Sequence, residues 1–201
     1  MNDTGCRPLT ESEFQAIVDA LVGKYRLRNA ALLTLGRYTG YRISDMLSLQ
    51  VSDIWNGTSI RKSVTVARVN MKFRRSGRTV PLHHRAQSAL QNWLAESGMT
   101  GASHTMWPVF LSRKSKSFPR KMTPTGAWMM LQEAAKRAKV STERLGLHSL
   151  RKQFAIAMWE SPYVQKDMAR MSRLLGHADF SSTIRYLQFT DGSLESAVLA
   201  A

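Results

Sequence analysis

His148 and Arg151, three residues apart in HSLRKQFA, are followed by His177 in RLLGH and by Tyr186 in STIRYL, nine residues after His177. Helices and tight turns can bring side chains at these intervals together. The group has a chemical logic. A phenolic oxygen can attack phosphorus while a guanidinium and two imidazoles hold the phosphate oxygens or pass protons near neutral pH. His177 alone would also serve as a cap on the RLLG turn; its spacing to Tyr186 favours the chemical role. Of the other tyrosines, Tyr25, Tyr38 and Tyr163 have no matching partners. Tyr41 adjoins Arg42 and is the rival nucleophile, although neighbours on a turn generally point apart.

These residues carry a resemblance. The order His-x-x-Arg, Leu-Gly-His and then a tyrosine is similar to the C-terminal catalytic box of the tyrosine recombinases, the phage-integrase-like site-specific recombinases. Upstream, LLTLGRYTGYRISDMLSL at residues 32–49 resembles that family's first arginine box, with Arg42 as its arginine. The resemblance implies that Arg42 and Arg151 clamp one phosphate, each through a planar fork of donors. It also implies a general-acid lysine in a β-hairpin. Lys72 stands nine residues before Pro81, one more than the family pattern. Asp45 occupies a position where the family often has glutamate, and it could orient a guanidinium or cap nearby amides. Lys152 replaces the family's frequent histidine and is left out of the chemistry.

The elements that must position these groups follow from periodicity and punctuation. Residues 1–9 read as a flexible lead. Thr10 and Glu13 have capping-box spacing before an apolar face of Phe14, Ile17, Val18 and Leu21. A second helix covers residues 28–38 and breaks at Gly40. Arg42 begins or precedes a short helix containing Ile43, Met46 and Leu47. From Thr58 to Leu82 the pattern becomes extended, with Ile60, Val64, Val66 and Val69 and then residues 79–82. This predicts a basic antiparallel sheet of two or three strands turning at Ser76 and Gly77. Residues 86–96 form an amphipathic helix stopped by Gly98. Trp107 to Leu111 is a short buried segment. Thr123 and Pro124 open a helix to about Ala138, with Trp128, Leu131 and Ala135 as packing residues. Ser161, Pro162 and Tyr163 mark a loop. Ser181 caps a short helix bearing Tyr186, and residues 191–201 form a tail helix with Leu194, Val198 and Leu199 on its apolar side. The fold expected is mainly α with a small antiparallel β-sheet, the tyrosine recombinase catalytic-domain fold, as one catalytic domain over residues 10–190.

Charge points to the partner. The chain of 201 residues carries 29 basic and 14 acidic residues, a formal net charge of +15, which favours a polyanion. Between Ile54 and Gln132 thirteen lysines and arginines face a single acid, Glu96. Arg74, Arg75, Arg78, Arg113, Lys114, Lys116 and Lys121 are the candidate contacts to the DNA backbone. Cys6 is the sole cysteine, so no intrachain disulfide or cysteine metal cluster can form. No secretory signal or apolar run long enough for a membrane span is present, which predicts a cytoplasmic, DNA-associated protein.

The reaction needs no cofactor, since a tyrosine ester conserves the backbone bond energy. A Walker loop for ATP is missing, and the candidate site lacks the carboxylates of a two-metal nuclease. The resemblance implies double-stranded DNA with specific recombination sites as partner. It further implies a homo-oligomer, a synaptic tetramer, on that DNA, with the tail docked in its own subunit or a neighbour. An accessory DNA-bending or clamp protein fits beside it, because Arg42 comes too early for a preceding clamp domain. The chain thus resembles the catalytic half alone, whether a short member or an excised domain. A type IB-like topoisomerase and a noncatalytic DNA-binding regulator are the alternatives.

Overall fold

The computed structural model describes residues 5–66, 77–113 and 118–176. Among them are eight α-helices and two strands: α1 (Glu11–Asp19), α2 (Arg26–Thr39), α3 (Ile43–Leu47), α4 (Val51–Ile54), β1 (Ser63–Val66), β2 (Arg78–Pro81), α5 (His84–Ser97), α6 (Pro124–Arg137), α7 (Leu147–Trp159) and α8 (Met168–Leu175). The expected architecture, mostly helical with one small antiparallel sheet, is the one observed.

Helix α2 is the central element and packs against α5 on one side and α7 on the other. Its Ala31, Leu32, Leu33 and Leu35 are wholly buried. Close approach to α7 depends on Gly36, where an added Cβ would come within 3.0 Å of Leu150. Phe154, Ala155, Val164, Met171 and Leu175 form a second cluster that seats α8 on α7.

Local signals explain most boundaries. Thr10 and Glu13 make the expected capping box: Glu13 N–H donates to Thr10 Oγ1 at 3.1 Å, and Thr10 N–H donates to Glu13 Oε2 at 2.9 Å. Thr123 accepts from the Gly126 amide at 3.1 Å, with Pro124 at the first helical position. Asp167 caps α8 through the amides of Ala169 and Arg170. Strand β1 pairs with β2 antiparallel, Val64 opposite Val80 and Thr65 opposite Thr79. The two threonine hydroxyls lie 2.8 Å apart on the outer face.

Two expectations are corrected here. The lead is anchored from Arg7 onward. Arg7 forks onto Glu13 at 2.8 and 2.9 Å and donates to the Ser141 carbonyl, while Leu9 is buried. Trp128 is not a packing residue. Ala127, Met130, Leu131, Ala134 and Ala135 fill the buried face of α6, and Trp128 stands at its flank, 47% exposed. Val69, Ser76, the short helix after Ser181 and the tail helix at residues 191–201 lie outside the described residues.

Candidate active site

The arginine corner is built by a helix stop. Gly40 ends α2 in the left-handed conformation, φ +59°, and its amide returns to the Gly36 carbonyl. The chain then turns through Tyr41 and Arg42 into α3. Arg42 is the N-cap of α3, and its amide donates to Asp45 Oδ2 at 3.3 Å. Asp45 therefore acts as a cap. Among the described residues, no side-chain donor of Arg42 is committed to a protein acceptor.

Helix α7 brings the second box to this corner. Its N-cap is Gly146, whose amide donates to Ser149 Oγ at 3.1 Å, so His148 and Arg151 sit in the first turns. Arg151 is 1% exposed. Its Nη1 donates to the Gly40 carbonyl, and its Nη2 donates to the Leu175 carbonyl at 2.7 Å. Leu175 ends α8 and Gly176 closes it in the left-handed conformation, φ 63°. One guanidinium thus ties the Arg42 corner to the helix end that precedes His177 in the chain.

His148 lies on the exposed side of α7. Packing around its ring lowers its pKa from the ordinary value, and the positive charges of Arg151, Arg42 and Lys152 lower it further. Burial and the neighbouring cations thus both disfavour the protonated imidazole. Arg42 is half-buried and His148 exposed, whereas Arg151 is buried.

Arg78 departs from the expected backbone-phosphate role. Its Nη2 donates to the Thr39 carbonyl at 2.6 Å and its Nη1 to the Gly40 carbonyl at 3.4 Å. Burial, together with the charge of Arg151, pulls its pKa down to about 10. Tyr41 is 2% exposed, and its hydroxyl lies 2.8 Å from the Val64 carbonyl and 2.6 Å from that of Arg78. Burial raises its pKa to about 12. A phenol so enclosed is unfit as a nucleophile, which removes the rival to Tyr186. Tyr163, 87% exposed, sits in the loop at residues 161–166.

Arg113 and Lys121 are exposed, flanking the loop that precedes α6. Lys72, Arg74, Arg75, Lys114, Lys116, His177 and Tyr186 lie outside the described residues. The sequence reading missed the internal engagement of Arg78 and Tyr41. No local signal marks it, since the partners lie 23 to 39 residues away.

Solved structures share this architecture. A crystal structure of XerA recombinase superposes with a TM-score of 0.71 at 20% identity, over 98% of this chain and 66% of that one. The XerH site-specific recombinase bound to palindromic difH substrate, a post-cleavage complex, gives 0.70 at 23% identity, over 96% of this chain and 52% of that one. The fold is that of a tyrosine recombinase catalytic domain. Residues 7–192 match the model of the phage integrase family, and the chain belongs to that family. Among curated relatives, tyrosine recombinase XerD of Halalkalibacterium halodurans is 30% identical over 189 residues, 92% of this chain and 58% of that protein. Tyrosine recombinase XerA of Pyrococcus furiosus is 28% identical over 192 residues, 96% of this chain and 60% of that protein. The chain therefore spans 58–60% of the length of these two relatives.

Proposed function

We propose that the protein cleaves and rejoins DNA strands at specific recombination sites through a covalent 3′-phosphotyrosine at Tyr186. The observation that carries this reading is the placement of Arg151, whose guanidinium joins the Arg42 corner to the end of α8. Arg151 thereby joins the first arginine box to α7 and to the end of α8, the residue pair just ahead of His177 in the chain.

In this reading the scissile phosphate meets Arg42 and His148 first, over the buried charge of Arg151. The cations offset charge that builds on the nonbridging oxygens in the transition state. The Tyr186 oxygen attacks phosphorus and forms the new P–O bond, while an imidazole of the site takes the phenolic proton. The bond to the 5′ oxygen breaks, and Lys72 gives that oxygen a proton. His177 donates to the same phosphate. A 5′-hydroxyl from another strand then attacks the ester, releases the tyrosine and seals the new junction. No external energy source is consumed, because one ester replaces another.

Strand exchange between two duplexes requires several active sites, so the working form is a homo-oligomer, a tetramer at synapsis. The XerH complex with difH substrate supports specific DNA sites as partners. Arg74, Arg75, Arg113, Lys114, Lys116 and Lys121 would hold backbone phosphates. An accessory clamp or bending protein would complete the grip, and the setting would be the cytoplasm, on DNA. Integration, inversion and resolution share this chemistry.

The test is a nicked duplex that traps the cleaved strand, with the DNA-linked peptide mapped by mass spectrometry. A peptide containing Tyr186 is expected, and Tyr186→Phe should bind DNA without forming the adduct. Attachment at another tyrosine, or no attachment, would refute the reading.

A further inference from the structure

The Arg42 corner and the two-stranded sheet hold each other through reciprocal bonds. Tyr41, immediately before Arg42, sends its hydroxyl into the main chain of both strands, at Val64 and Arg78. Arg78 returns its side chain to the main chain of the corner, at Thr39 and Gly40. The Arg78 guanidinium also stacks over the Tyr41 ring, 4.7 Å from its centroid. The Gly40 carbonyl accepts from Arg151 as well, so two arginines from different elements share one oxygen beside Arg42.

This arrangement is costly. A third cation stands beside Arg151 and Arg42, and the repulsion is felt by Arg78 itself. Its Nε is buried without a hydrogen-bond partner. A neutral side chain could fill the space and avoid both penalties. A cation here is justified by a rigid, doubly anchored corner that also adds positive potential beneath a phosphate.

We propose that Tyr41 and Arg78 are positioning residues for the phosphate-binding arginines: they latch the β1–β2 pair to the corner at residues 39–42 and so fix Arg42 relative to Arg151. Neither touches the reacting atoms; both act through the corner. The proposal rests on the phosphoryl-transfer reading above.

The test uses Tyr41→Phe, which removes only the hydroxyl, and Arg78→Gln, which removes the cation. The substrate is a nicked duplex carrying a sequence selected by this protein from a randomised pool. It is made once with an ordinary scissile phosphate and once with a methylphosphonate, which has one charged oxygen fewer to hold. Both variants should bind the duplex within about threefold of the parent, since backbone contacts elsewhere dominate affinity. Cleavage of the ordinary phosphate should fall about tenfold or more, because small misplacement of clamp groups is costly. On the methylphosphonate the deficit should shrink below about threefold, because less charge needs a well-set clamp. Equal deficits on both substrates would mean general loosening of the fold and would overturn the latch, as would parental rates on the ordinary phosphate. If the parent forms no tyrosyl adduct on either substrate, the functional reading itself fails and the latch falls with it. Adduct formation by the parent together with equal deficits defeats the latch alone.

Discussion

Phe154 occupies the space where a side chain on residue 40 would stand: a Cβ added to Gly40 would lie 2.3 Å from Phe154 Cδ1. The same glycine has φ +59° and offers the carbonyl that Arg151 and Arg78 share. Three demands meet at one residue. The chain must turn left-handed, the α7 aromatic must pass close, and the oxygen must face two guanidinium groups.

Gly40→Ala should therefore harm both stability and cleavage. The left-handed conformation costs about 1–2 kcal/mol for a residue with a Cβ. Overpacking against Phe154 adds about 1–3 kcal/mol. Denaturant unfolding should show a loss of at least about 2 kcal/mol from these two effects together. Measured against Phe154→Ala alone, which carries its own cavity cost of about 3–5 kcal/mol, Gly40→Ala should lose the overpacking part of its penalty and keep the backbone part. No penalty from Gly40→Ala in that background would show that the left-handed turn contributes nothing.

Arg28 predicts the opposite kind of arginine. It is wholly buried, donates to the Leu111 carbonyl and to Asn29 Oδ1 at 2.8 and 3.1 Å, and covers the Tyr25 ring at 4.3 Å. Arg28→Met should cost about 1–3 kcal/mol, because buried acceptors lose their donor. Arg42→Met should change stability by no more than about 0.5 kcal/mol, as for partly exposed sites without such partners. It should nevertheless abolish covalent adduct formation. A thermal melt and an adduct assay on both variants separate the two roles.

The contrast shows what the sequence reveals and what it hides. Thr10 with Glu13, Gly40, Thr123 with Pro124, and the alternation around Val64 and Val80 act within a few residues, so their elements are legible. Arg42 and Arg151 are legible as a pair only through motif order. That Arg151 reaches the Gly40 carbonyl, 111 residues away and two before Arg42, is a property of packing. Arg78 reads like the other basic residues of its segment because composition cannot distinguish a cation facing solvent from one turned onto carbonyls. Trp128 misled for a related reason: a large aromatic suggests a core, but smaller residues already fill that face of α6.

Exposed cations set the next expectation. Arg113 and Lys121 are open to solvent and flank one loop. If each holds a phosphate, binding to duplex DNA should weaken steeply with salt. The log–log slope should be about −0.9 per phosphate neutralised, so Arg113→Ala or Lys121→Ala should each reduce its magnitude by about 1. Arg28→Met should leave the slope unchanged, since that guanidinium is turned inward. Fluorescence anisotropy across a salt series measures all three. An unaltered slope in both loop variants would remove this loop from the DNA interface.

His148 supplies a pH signature. Packing lowers its pKa below the ordinary value of 6.5, and Arg151, Arg42 and Lys152 add to that. A folded-state pKa below the unfolded one makes the unfolded chain bind the proton more readily. The stability tied to His148 is thus present above pH 6.5 and is lost as pH falls through the lower folded value. A phosphate bound at this corner reverses the field, because its negative charge opposes the three cations. The imidazole pKa should then rise, and DNA binding should take up a proton across that window. NMR of the His148 ring can follow both states. The midpoint should lie below 6.5 in the free protein and move upward with a duplex bound to Tyr186→Phe, which cannot cleave. His148→Gln should remove the proton uptake. A midpoint that stays fixed when DNA binds would mean that the phosphate does not sit beside His148, and the site would have to be drawn elsewhere on α7.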